Sequence, residues 1–341
     1  MTYSTSLIFS QRYFKSQFFI FFVVFFLGLF LSNIAQAYRT EFKVAQDGSG
    51  DFRSIQAAVN AAKSFPDKDI HIYIEAGIYE EKVVVWEWNT RLSVVGAGRD
   101  KTIIRWNDHF EKMQLDRNST FHTASLRIEA NDFYASDLSV ENSAGPVGQA
   151  IALSVNADRA LFERVAVRGH QDSLYVTGEN KRVLFRDCYI EGTVDFIFGG
   201  ALAVFDSCQI HSRSDSYITA ASTHEGQAAG LVFLHSSLTA DEGVSKVYLG
   251  RPWRVYAQTA FLNCEMGAHI SPAGWHDWDK RQAHETAFYA EFESGGAGAV
   301  PAERVSWSRQ LSAQEAERFL PESLLARTGE PAWFRARGTS E

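Results

Sequence analysis

Phe185-Arg186-Asp187-Cys188-Tyr189-Ile190 is followed 20 residues later by Phe205-Asp206-Ser207-Cys208-Gln209-Ile210. Each hexapeptide opens on an aromatic residue, carries a cysteine at its fourth place and closes on isoleucine. Working outward, Ala135, Phe162, Phe185, Phe205, Phe233 and Phe261 each open a segment with apolar residues at its fourth or sixth place, at separations of 27, 23, 20, 28 and 28 residues. Short β-branched and aromatic strands at irregular periods of this size, with Gly, Asn, Asp and Ser turns between them, describe a coil in which each repeat adds one turn. A sandwich of hairpins would show turns every ~8–12 residues and two-residue Asn-Gly loops. The seven prolines are few for so many turns, which suits long stacked strands. The chain is therefore read as all-β: a single-stranded, right-handed parallel β-helix with short capping helices.

The ends of the coil are also marked. Residues 52–63 place apolar side chains at 52, 55, 58, 59 and 62, a helical spacing that suits a cap over the open end of a solenoid. Strands at 70–74, 83–86, 92–95 and 102–106 begin the coil. Residues 312–319 and 321–325 read as helices that pack on its side or close its far end. Before all of this, residues 1–37 carry Arg12 and Lys15 as their only charges, a nearly wholly apolar run of 14 residues over 18–31, and Ala35-Gln36-Ala37. That pattern is a secretory signal peptide ending at Ala37. The run falls short of the roughly 20 residues that cross a bilayer, and no cysteine lies near the cleavage point to take a lipid.

Residues 38–341 are expected to form one solenoid domain, secreted to an extracellular or periplasmic space, monomeric and free of the membrane once the leader is gone. The formal charge of −8 falls to −10 with loss of the leader's two basic residues, which argues against nucleic acid or an anionic membrane surface as partner. A polyanion would gain nothing from long-range steering, so a neutral, esterified polymer fits better. Cys188 and Cys208 hold matched places in consecutive repeats, and one rung of separation suits the Cα spacing of about 4.4–6.8 Å that a disulfide needs. Export favours that bridge. Cys264 shares the register with the Phe233 repeat between, roughly two rungs or near 10 Å away, and is left unpaired.

Gln149, Gln171-Asp172 and Asp195 recur at steps of 22 and 24 residues, followed by Arg251-Pro252-Trp253. In a parallel coil such steps stack residues on one face roughly 4.8 Å apart. Carboxamide N–H groups suit a developing oxyanion, and two nearby carboxylates can divide nucleophile and acid/base work. The pattern reads as attack on a carbonyl without serine, cysteine, metal or cofactor. Taken singly, each residue has a plainer reading: an aspartate satisfying turn N–H groups, a structural amide ladder, a core tryptophan, a surface ion pair at Arg251.

Six blocks in order change that balance. Asp47-Gly48-Ser49-Gly50-Asp51-Phe52, Gly77-Ile78-Tyr79-Glu80-Glu81, Gln149-Ala150-Ile151-Ala152-Leu153, Gly169-His170-Gln171-Asp172-Ser173-Leu174-Tyr175, Gly192-Thr193-Val194-Asp195-Phe196-Ile197-Phe198-Gly199 and Leu249-Gly250-Arg251-Pro252-Trp253-Arg254 resemble the signature blocks of pectin methylesterases. The resemblance covers about residues 44–299. It implies that Asp195 is the nucleophile on a galacturonosyl methyl ester in pectin, that Asp172 is the acid/base, and that Gln149 and Gln171 are oxyanion donors. It further implies that Arg251 holds the nucleophile, and that Trp253, Phe198, Val194 and Tyr175 border the substrate. Two carboxylates a rung apart repel, so one should hold a proton. Arg251 beside Asp195 would keep that one ionised and leave the proton to Asp172.

His170 stands where the family carries an aromatic, Ser173 where it carries threonine and Ala76 where it carries proline, and residues 176–181 make a turn about two residues longer. Other readings make demands the chain does not meet. An inverting glycosidase needs carboxylates about 6.5–9.5 Å apart around a water, and a calcium-dependent lyase needs several converging oxygen ligands. A non-catalytic polysaccharide-binding solenoid could dispense with Asp172, Asp195 and Gln171, all of which are present. A family type that hydrolyses acyl thioesters keeps another ester open. Asn118-Ser119-Thr120 is a glycosylation sequon.

Overall fold

Strands follow one another in a fixed cycle. Leu174–Val176 leads to Arg182–Arg186 and Tyr189–Gly192, and the next circuit repeats the order with Ile197–Gly199, Leu202–Asp206 and Gln209–Ser212. In this computed structural model, which describes residues 38–335, the circuits stack into parallel sheets of eleven, seven and eight strands. The fold is an all-β, right-handed parallel β-helix, and the described residues from Thr40 onward form one compact unit. The expected leader, residues 1–37, lies outside the described residues. No described helix is long and apolar enough to cross a membrane.

The repeat read from the sequence is the physical register. Ala135, Phe162, Phe185, Phe205, Phe233 and Phe261 are consecutive partners on the eleven-stranded sheet. Their side chains point inward, and the five phenylalanine rings stack at 4.7, 5.0, 4.5 and 4.4 Å between centroids. At the far end of the column Glu291 follows Phe261. Its buried carboxylate is paired in a fork with Arg304, at 2.8 and 3.0 Å, as a charge removed from water requires.

A single residue makes the corner after seven of that sheet's eleven strands. Asp137, Arg164, Asp187, Ser207, His235, Asn263 and Glu293 all have φ between +45° and +57°. The left-handed conformation costs a side-chain-bearing residue free energy, but it aims the corner N–H at the next rung. Asp187 N thus donates to Asp206 O at 3.1 Å and Asn263 N to Phe292 O at 2.8 Å.

The residue after the corner points inward, and this corrects the cysteine expectation. Cys188 and Cys208 do stack in successive rungs, but no disulfide joins them: all three cysteines are free and buried. Each thiol lies against strand carbonyls instead, Cys188 Sγ 3.5 Å from Phe162 O and Cys208 Sγ 3.5 Å from Phe185 O. Ser236, in the rung between Cys208 and Cys264, donates to Phe205 O and Leu234 O in the same manner. The column uses cysteine and serine alike as small corner residues that satisfy carbonyls. Burial pushes the Cys208 thiol well above its ordinary value and Cys264 up to about 12, so these thiols are unreactive.

At the N-terminal end Ser54 caps the helix Ile55–Ala61, which buries Ile55, Ala58 and Val59. Strands Glu41–Val44 and Gly77–Glu80 also join the coil; the sequence reading had not marked them. The C-terminal helices lie on the side of the coil, where Phe319, Leu325 and Phe334 pack on Leu184, Val204 and Val232 of the eleven-stranded sheet. Arg182, buried beneath them, forks onto Asp158 and also donates to Leu325 O and Glu330.

Candidate active site

The outer face of the seven-stranded sheet carries one aligned row: Tyr175, Phe198, Ala220 and Arg251. Just before these strands the chain turns sharply, and the turn residues hold the candidate chemistry. Gln149 pairs with Gln171 across one rung. Asp172 N donates to Val194 O and Leu174 N to Phe196 O, which places Asp195 directly over Asp172, and Val194 over Gln171. The 24-residue step that had put Asp195 above Gln171 is thus one residue too long, although both amides and both carboxyls still face the same groove.

Each aspartate occupies the left-handed region, Asp172 at φ +65° and Asp195 at φ +50°. That conformation lifts the carboxyl out of the strand's alternation, and aspartate tolerates it better than most residues. Several contacts hold the turns. Ser173 Oγ and Thr193 N both donate to His170 O, at 3.1 and 2.9 Å. Arg213 Nη1 reaches Gly169 O at 3.2 Å, Glu191 Oε1 at 3.3 Å and His170 Nε2 at 3.4 Å. Gly192 must be glycine, because a Cβ there would collide with Phe196 Cβ and sit 2.6 Å from His170 O. Burial, then the Arg213 charge, holds His170 below its ordinary value. It therefore accepts from Arg213 as a neutral ring.

Arg251 reaches down two rungs over the small Ala220 and grips Asp195 in a fork, Nε to Oδ1 at 2.9 Å and Nη2 to Oδ2 at 2.6 Å. Its guanidinium lies between two aromatic faces, 4.0 Å from the Tyr217 ring and 3.7 Å from Trp278. A planar cation desolvated in this way cannot swing away from its partner.

The two carboxyls consequently differ. Burial, reinforced by the neighbouring Asp195 charge, drives Asp172 well above the ordinary carboxylate value, with Arg251 opposing. Burial leaves Asp195 raised as well, but less far than Asp172, because the Arg251 hydrogen bonds and charge, with Lys280 beyond, oppose it. One carboxyl is thus set to hold a proton beside another set to lose it.

The groove encloses about 700 Å³, and Gln149, Gln171, Asp172, Asp195, Arg251, Phe198 and Trp253 all line it. Tyr175 borders an adjoining pocket with Trp253 and Lys280. Val194 lines neither; its contribution is the carbonyl that receives Asp172 N. Phe198 is buried beneath Tyr175 and Trp253, at 4.6 and 5.8 Å, and forms floor rather than wall. The sequence reading missed Phe121, which packs on Tyr175 at 5.2 Å, and also Tyr217 and Trp278. For Phe121 and Trp278 the available signal was large aromatics in the inter-strand connections 107–123 and 276–282. Arg117 and Arg254 also line the groove, so a chain of net charge −8 presents cations here. Among the described residues no cluster of His, Cys, Asp and Glu is arranged to hold a metal.

With this geometry in place, the comparisons with known proteins agree on one group. The pectinesterase family model matches residues 41–328. The chain belongs to the pectinesterase family. It is 38% identical over 298 residues to a probable pectinesterase/pectinesterase inhibitor 6 of Arabidopsis thaliana, covering 84% of this chain and 52% of that protein. It is 34% identical over 303 residues to pectinesterase 31 of the same plant, covering 86% and 95%. The chain spans about half the length of the first curated relatives it matches. Among solved structures, a pectin methylesterase from carrot superposes with TM-score 0.78 at 36% identity, over 83% of this chain and 92% of that one. A pectin methylesterase in complex with a hexasaccharide superposes with TM-score 0.73 at 29% identity, over 85% and 98%. For a pectinesterase-family chain, two opposed carboxyls beside two amides is an arrangement suited to acyl transfer.

Proposed function

We propose that this protein de-esterifies methylated pectin, releasing methanol and leaving galacturonate carboxylates. The observation that carries the reading is the asymmetric carboxyl pair: Asp195 forked onto Arg251, with Asp172 pushed toward its neutral form one rung below. Asp195 Oδ attacks the C6 ester carbon, and the charge that gathers on the carbonyl oxygen is met by the amide N–H groups of Gln149 and Gln171. Asp172 gives its proton to the methoxy oxygen, the C–OCH₃ bond breaks, and methanol departs. The C6 acyl group is then joined to Asp195 as an anhydride. Asp172, now a carboxylate, takes a proton from water as that water adds to C6. The anhydride opens, Asp195 leaves as a carboxylate, and the product acid loses its proton to solvent.

Trp253 supplies a face for a sugar ring, with Tyr175 beside it and Phe198 as the floor beneath, while Val194 serves through the carbonyl that holds the Asp172 turn. Arg117, Arg254 and Lys280 supply cations for carboxylates that earlier turnovers leave behind. The partner is thus a polymer carrying both ester and acid groups. Such a substrate lies outside cells, which agrees with residues 1–37 acting as an export leader and the remainder working as a secreted monomer. The test is methanol release from highly esterified pectin by the purified protein, with Asp195→Asn as control. Methanol release lost in a folded Asp195→Asn supports the assignment, and near-normal release refutes it.

A further inference from the structure

Trp86 and Trp88 take no part in the groove, yet they lie in the turn that directly follows Val83–Val85, a strand of its sheet. Val84, Arg127, Ser154, Tyr175 and Phe198 are successive partners on the outer face. Because strand side chains alternate, Trp86 continues from Val84 on that face, past the inward Val85. The two indoles stack at 5.4 Å with 14° between planes, and the Arg127 guanidinium lies 5.6 Å from the Trp86 ring. Trp88 is 38% exposed, and Phe65 beside it is 70% exposed. Phe65 N donates to Trp88 O at 2.7 Å.

This aromatic turn is held stiffly. Buried Asn89 accepts from Trp86 N at 3.2 Å, donates to Val59 O at 3.4 Å, and sends its own N–H to Trp86 O at 2.8 Å. Two rings left facing water, Trp88 and Phe65, with Trp86 half-buried behind them, are costly for solubility and are the common mark of a recognition surface. Flat aromatic faces suit the C–H faces of pyranose rings, and the indole N–H suits their hydroxyls.

We propose that Trp86, Trp88 and Phe65 form a remote sugar-binding platform for the same galacturonan chain whose ester is presented to Asp195, a proposal that rests on the reading of the groove given above. Continuity with the groove selects that occupant. The strand carrying Val84 lies three rungs from Tyr175 and four from the Asp195 rung, so the platform is roughly 19 Å along the coil from the nucleophile. A polymer can span that distance, and a trisaccharide seated at Asp195 cannot.

The test compares the full-length parent with Trp88→Ala, Trp88→Phe and Phe65→Ser, on esterified pectin and on methyl-esterified trigalacturonate. Direct binding is measured in an Asp195→Asn background, so that it needs no turnover. Trp88→Ala should weaken polymer affinity roughly fivefold to thirtyfold, leave affinity and kcat for the trimer unchanged, and be largely restored by Trp88→Phe. Phe65→Ser gives the same contrast from an independent position. Polymer affinity that is unchanged, or that falls by the same factor as trimer affinity, overturns the platform. Self-association that is lost in Trp88→Ala while polymer affinity holds assigns the rings to a second copy of the chain and also overturns it. If the parent releases no methanol but its polymer binding depends on Trp88, the hydrolytic reading falls and the platform stands.

Discussion

Replacing Arg251 with methionine should move the acid limb of the pH–activity profile, and the direction and ceiling can be worked from the site. Asp195 is buried, and its charge is held by two hydrogen bonds of 2.9 and 2.6 Å from one guanidinium. Methionine fills much of the slot between Tyr217 and Trp278 without a charge. Leaving a buried carboxylate unpaired costs about 3–5 kcal/mol. At about 1.36 kcal/mol per pKa unit, that is a ceiling of roughly 2–4 units on the rise in the Asp195 value. The nucleophile is the anion, so activity exists only above its pKa. The acid limb must therefore shift toward alkaline pH, and activity near neutrality must fall.

The assay is initial-rate methanol release across the pH range in which the protein stays folded, with the thermal midpoint followed beside it. Arg251→Lys keeps a point charge but not the planar fork and should shift the limb less. A folded Arg251→Met whose acid limb lies within about half a unit of the parent would refute the claim that this guanidinium keeps Asp195 ionised.

Asp172→Asn should lower kcat by about 10²–10⁴, the usual worth of acid/base help. It should also raise the thermal midpoint near neutral pH: a folded carboxyl held above its unfolded value of 3.8 destabilises the protein progressively as pH rises through and beyond that value. The gain should therefore vanish below about pH 3.8, and a midpoint gain independent of pH would count against it. Gln171→Ala should cost roughly 10²–10³ in kcat through the lost oxyanion donor, with circular dichroism and midpoint unchanged. Phe205→Ala removes a ring stacked at 5.0 and 4.5 Å on its two faces and should cost about 3–5 kcal/mol in urea unfolding.

The phenylalanine column was legible because the repeat of the sequence is the repeat of the solid: one inward aromatic per turn, at whatever length the turn takes. The catalytic column was less so. Gln149 and Gln171 were aligned correctly, but Asp195 was placed over Gln171 rather than Asp172, since a one-residue slip changes which column a side chain joins. The corners were hidden for a different reason. Asp137, Arg164, Asp187, Ser207, His235, Asn263 and Glu293 share a conformation and not a chemistry, and what fixes them is the carbonyl waiting on the next rung. The cysteine pair misled because matched positions imply proximity, whereas a bond depends also on what else the thiols can satisfy. Trp278 sits in a loop and Phe121 in a short 3-10 turn between strands, where no period announces them.

The two columns have a common logic. Phe162, Phe185, Phe205, Phe233 and Phe261 belong to the five consecutive circuits that carry Gln149, then Gln171 and Asp172, then Asp195, then Tyr217 and Ala220, then Arg251. The site is expensive in isolation, with two aspartates at positive φ, a carboxyl buried against its preference and an ion pair removed from water. None of these groups favours folding at neutral pH as a hydrophobic residue there would. The stacked rings on the inward face bury apolar area on the same rungs, with centroids 4.4–5.0 Å apart, and so support the backbone ladder that sets a rung spacing of about 4.8 Å. That spacing separates Asp172 from Asp195 and sets the span Arg251 must cross. A loosened ring would therefore cost stability and also slacken the carboxyl pair, which is why a fall in kcat of the still-folded Phe205→Ala protein should accompany its lower midpoint.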